Sequence, residues 1–113
     1  MENNNLTVSL DVLEQMAIIA AKEVEGVADV AQKAIDIKGV VNKGKILKSA
    51  VANEKNGAVS VNVYIKVNEA SHAKTVAEAV QKNVKEKLQN MTGHAITRVN
   101  VTNADICFEE NNG

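Results

Sequence analysis

Side-chain catalysis needs a nucleophile beside a base, two carboxylates in unlike environments, or a bound metal. This sequence offers little to build any of these from: two histidines, His72 and His94, and one cysteine, Cys107. His72 follows a predicted helix cap at Ser71, where a cation is disfavoured, and His94 follows a helix-ending glycine. Both read as solvent-facing boundary residues. Cys107 lies in an apolar terminal stretch, Ile106-Cys107-Phe108, and reads as a small buried hydrophobe with no neighbouring His or helix start to activate its thiol. There is no cysteine pair, no histidine pair at metal-binding spacing and no acidic calcium-type loop. Gly39 and Gly44 are too far apart for a dinucleotide fingerprint, and no helical pattern follows them. The expectation is a protein with no catalytic residues, no cofactor and no metal.

Binding chemistry is better represented. Lys38, Lys43, Lys45 and Lys48 form a candidate basic patch, which keeps open the alternative of a nucleic-acid-binding regulator using the lysine-rich stretch 38–48. That alternative is the less favoured one. A KH module needs a GXXG loop, which is absent, and an RNA-recognition motif needs several stacking aromatics where this chain has Tyr64 and Phe108. Arg98 is the only arginine, whereas base and phosphate readers normally use several. Charge is unevenly distributed: residues 1–32 hold six acids against Lys22, a net −5, and residues 33–55 a net +4, while the whole chain is −1. Such runs can steer a partner, but they more often only solvate a face.

These residues must be carried by a small scaffold. With 113 residues and an apolar fraction of 45% supplied by Val, Ile, Ala and Leu, the chain reads as one domain, 1–113, with a thin core, as in one sheet covered by helices. No apolar run is long enough to span a bilayer, and Met-Glu-Asn-Asn-Asn is unlike a signal peptide's start. The expected location is cytoplasmic, with no direct membrane insertion.

Periodicity supplies the elements. After an extended start at 6–8, Ser9 caps a helix whose apolar positions are Leu10, Leu13, Met16, Ala17, Ala20 and Val24, with Gly26 ending it. Val27–Val30 reads as a short strand or an extended exit, 32–45 as an exposed loop, and 46–53 as one weak strand. Asn56-Gly57 is a tight-hairpin dipeptide. Beyond it, 58–67 alternates strictly: Val59, Val61, Val63, Ile65 and Val67 fall on one face, and Ser60, Asn62, Tyr64 and Lys66 on the other. The second four form the candidate interaction face. A second helix, capped by Ser71 and ended by Thr92-Gly93, carries Ala73, Val76, Ala77, Val80, Val84 and Met91; a last strand follows from Ala95 to about Asn103, and 109–113 is a polar tail. The predicted fold is α+β, two helices packed on one face of a small mixed β-sheet, in the order (β)-α-(β)-β-β-α-β. A right-handed crossover would make the last strand parallel to 58–67.

Three blocks carry a family likeness: Ser9, Val12-Leu13, Ala17 through Ala21 and Glu23-Val24-Glu25-Gly26-Val27; then 61–67 with Val76-Ala77 and 80–85; then Met91-Thr92-Gly93 running to Val99-Asn100-Val101. Over roughly 6–108 the chain resembles the alkaline-shock, or general-stress, proteins of Gram-positive bacteria, also described as envelope-stress-response proteins. It departs at 32–45 and at Asn68-Glu69-Ala70. The resemblance implies a non-enzymatic protein that supports cell-envelope homeostasis under stress. It also implies self-association into a homo-oligomer and, in some members, retention at the membrane by a separate anchored protein.

Overall fold

Ser9 opens the first helix, α1 (Leu10–Lys22): its hydroxyl oxygen accepts the Val12 N–H at 3.2 Å, and Asp11 sits in the first turn, where the helix dipole favours an acid. The structure is a computed structural model and describes residues 9–36, 45–93, 96–104 and 106–109. The extended start expected at 6–8 therefore lies outside the described residues. α1 ends at Lys22 with Glu23 as its cap, so Gly26 does not close the helix. Its φ of +100° instead turns the chain into β1 (Val27–Val30).

Two sequence readings are corrected next. Lys33–Asp36, expected within a loop, is a strand, β2, paired antiparallel with β3 (Lys45–Lys48); the central part of that loop lies outside the described residues. The single strand expected over 46–53 is two, because the chain bends at Ser49 between this ribbon and β4 (Ala50–Lys55). A two-stranded ribbon buries no continuous face, so it leaves no alternating signature in the sequence.

β4 joins β5 (Ala58–Val67) through Asn56 and Gly57, whose φ values of 53° and 84° are both positive, as a tight hairpin requires. On β5, Val59, Val61, Val63 and Ile65 are buried while Ser60, Asn62 and Tyr64 are half-buried and Lys66 is exposed. Each of those four buried side chains stabilises the fold by about 1.5–3 kcal/mol relative to exposure.

The second helix, α2 (Ala73–Thr92), is entered through a 3-10 turn over Ala70–His72, in which the His72 N–H donates to the Glu69 carbonyl at 3.0 Å. Ser71, the expected cap, lies inside that turn, and His72 takes the cap position without a side-chain bond. At the far end Gly93 is left-handed, φ +74°, as expected. The buried stripe holds Ala73, Val76, Ala77, Val80 and Val84, but it finishes on Leu88 instead of Met91. Met91 is 65% exposed and lines an open groove with Met16 and Ile19 of α1. Asn83 ties the helices together, donating to the Ala20 carbonyl at 2.7 Å.

β6 (Ile96–Asn103) runs parallel to β5, and β7 (Ile106–Phe108) antiparallel to β6. β5 is central: β6 flanks one side, and on the other β4 pairs with its first half and β1 with its end. Both helices pack on one face of this mixed sheet, around a core of Leu13, Ala17, Val61, Val63, Val80, Leu88 and Val99.

Candidate functional site

Among the described residues no helix lies on the other face of the sheet. Pleating sends alternate side chains there, and the strand registers arrange them in rows. Ser60 stands between Asn53 of β4 and Arg98 of β6, and Asn62 between Val51 and Asn100. Tyr64 stands beside Thr102, which in turn stands beside Cys107 of β7, and Lys66 stands opposite Asp29 of β1. The four face residues read from the sequence are thus brought together with Arg98, Asn100, Thr102 and Cys107. Those four were missed, although the alternation around Val99 and Val101 would have assigned three of them.

Tyr64 is the centre of this face. Its ring is half-buried, and burial, with a further contribution from Cys107, pushes its phenol above the ordinary value. Thr102, only 8% exposed, lies beside it and donates from Oγ1 to Asn62 Oδ1 at 3.4 Å. The Tyr64 backbone is also a junction: its N–H donates to the Ser49 carbonyl at 2.9 Å, and its carbonyl accepts the Ala31 N–H at 2.8 Å. The face therefore presents amides, hydroxyls and one phenol around a fixed tyrosine, with Lys66 and Arg98 exposed. Such groups can donate and accept hydrogen bonds.

Cys107 is exposed, against the reading of a buried hydrophobe. β7 is a three-residue edge strand, and its pairing with Thr102 places the cysteine on the uncovered face. His72 Nδ1 lies 3.0 Å from Glu69 Oε1, both side chains well exposed, and His94 lies outside the described residues. Among the described residues no group of three His, Cys, Asp or Glu side chains is placed to hold a metal ion. No helix among them is long and apolar enough to cross a membrane.

Of the candidate basic patch, Lys45 and Lys48 fall among the described residues. Lys38 and Lys43 lie outside the described residues, and Lys45 is placed only by its backbone pairing with Asp36. Lys48 is engaged by Glu14, with Nζ 2.8 Å from Oε1. Glu14 itself escaped the sequence reading. The signal was there: a carboxylate set among Leu10, Leu13 and Ala17 on the apolar side of α1 must find a partner.

Comparison with known proteins adds the following. The model of the alkaline shock protein 23 family, described by a cell envelope-related function, matches residues 1–108. A protein of Bacillus subtilis (strain 168), described as the uncharacterized protein YqhY, is 34% identical over 103 residues, covering 88% of this chain and 74% of the relative. No solved structure matches.

Proposed function

The chain belongs to the alkaline shock protein 23 family, whose function is cell envelope-related, and from that premise we propose that it is a non-enzymatic interaction protein supporting envelope homeostasis. It acts by binding copies of itself and a membrane-anchored protein partner, so that it works at the membrane without inserting into it. The binding surface is the open sheet face built on Ser60, Asn62, Tyr64 and Lys66, continued by Arg98 and Asn100.

The observation that supports this reading is the half-buried Tyr64 set among amides and hydroxyls on a sheet face that no helix covers among the described residues. Interface hot spots are enriched in tyrosine, which offers a large apolar body with a polar tip. A cross-strand packing residue would look similar in one respect, since such pairs also stabilise sheets. Tyr64→Ala separates the two roles. If the face binds, the variant keeps its melting temperature and loses both self-association in sedimentation and recovery of envelope-associated proteins in a pull-down. A lowered melting temperature with binding intact would assign Tyr64 to packing and refute the proposal. So would a wild-type pull-down that recovers neither the protein itself nor any envelope-associated protein.

A further inference from the structure

Glu14 is 7% exposed, and its two oxygens serve different parts of the molecule. Oε1 accepts from Lys48 Nζ at 2.8 Å, and Oε2 accepts from the Ala52 N–H at 2.8 Å. The second bond lies at the edge of the sheet. In an antiparallel ladder, residues alternate between bonding the neighbouring strand and pointing their backbone away from it. Ser49 bonds Tyr64, so Val51 and Asn53 face β5, while Ala52, opposite Val61, turns its N–H outward. The Glu14 carboxylate thus occupies the place where the carbonyl of an added strand would sit. Among the described residues no strand pairs with this edge of β4; an unpaired edge invites strand addition, and an acid seated on it blocks that.

The first bond lies at the root of the β2–β3 ribbon. Lys48 is the last residue of β3 and faces Lys33 directly across the ribbon, a like-charge pairing that disfavours the hairpin unless an anion offsets it. Neither ribbon strand packs broadly on another element. Between the ribbon and α1 runs an open cleft of about 440 Å³ lined by Gln15, Ile18, Gln32, Ile46 and Leu47. Ile46 and Leu47 are 42% and 62% exposed, so apolar contact holds the ribbon only in part.

We propose that Glu14 is a latch, one carboxylate that both ties the β2–β3 ribbon to α1 and closes the free edge of β4. Losing the Lys48 contact lets the ribbon swing from its root. Displacing the carboxylate altogether also uncovers the outward N–H of Ala52. The device goes beyond the proposed function and does not depend on which partner the open face binds.

Amide hydrogen exchange on the full chain tests this with three variants. Lys48→Met should raise exchange in 33–36 and 45–48 by about tenfold or more, the scale of losing a charge-assisted hydrogen bond, with β5 and β6 unchanged. Glu14→Gln should release the ribbon in the same way, because its amide N–H₂ meets the Lys48 ammonium. It should keep Ala52 protected, because its carbonyl still accepts. Lys33→Met removes the facing cation and spares the latch, so its ribbon should exchange no faster than wild type. The latch is refuted if Lys48→Met leaves ribbon exchange unchanged, or if Lys33→Met loosens the ribbon as much. Loss of protection throughout β5 and β6 in Lys48→Met would refute it too, since the contact would then be holding the fold instead of the ribbon.

Discussion

Gly26 and Val76 meet so closely that a Cβ on Gly26 would stand 2.6 Å from Cγ2 of Val76. The turn leaving α1 passes against the first turns of α2, and the Gly26 carbonyl accepts the Asn68 N–H at 2.9 Å, which fixes the approach. Val76 cannot yield cheaply, because it is β-branched and buried.

Gly26→Ala should therefore destabilise the domain by about 2–4 kcal/mol, combining a left-handed φ with overpacking. Gly93 is the control: its φ is also positive, but nothing lies within 4 Å of a Cβ there. Gly93→Ala should cost only about 1 kcal/mol, the backbone part alone. Urea unfolding of both variants decides the matter, and equal losses would remove Val76 from the explanation.

A second prediction concerns the end of α2. Leu88→Ala should cost about 2–5 kcal/mol, because Leu88 is fully buried and its removal leaves a cavity. Met91→Ala should change stability by no more than about 0.5 kcal/mol, since that side chain is already in water. Thermal melts that rank the two the other way would contradict the observed rotation of the helix.

Tyr64 can be titrated without interference, since the chain holds one tyrosine and no tryptophan. Its phenolate absorbance should appear above the ordinary value of 10.0, mainly because burial opposes the charged form. Cys107→Ser, which removes the second, charge-based contribution, should bring the midpoint part of the way back. The sign for stability follows: the neutral phenol's contribution is fully present below the ordinary value and is lost as pH rises through the raised one. A midpoint at or below 10.0 would place the ring in water, contrary to its half-buried position.

Much of the fold is local and was legible in order. The strict alternation of 58–67, the Asn56-Gly57 turn, the Ser9 cap and the Gly93 stop are each written within a few neighbouring residues, because backbone geometry alone fixes which side chains share a face. The placement of Ser60, Asn62, Tyr64 and Lys66 on one face follows from that parity, as does the family likeness carried by the same blocks. Tertiary structure decided the rest. Helical spacing allows both Leu88 and Met91 on the apolar stripe and only packing buries Leu88, and Cys107 is exposed because β7 is a short edge strand. Glu14 meets Lys48 and Ala52 across separations of 34 and 38 residues, which no local period can encode. The ribbon of β2 and β3 was hidden for the same reason: it is held by pairing and by a distant carboxylate, and neither leaves a pattern in its own residues.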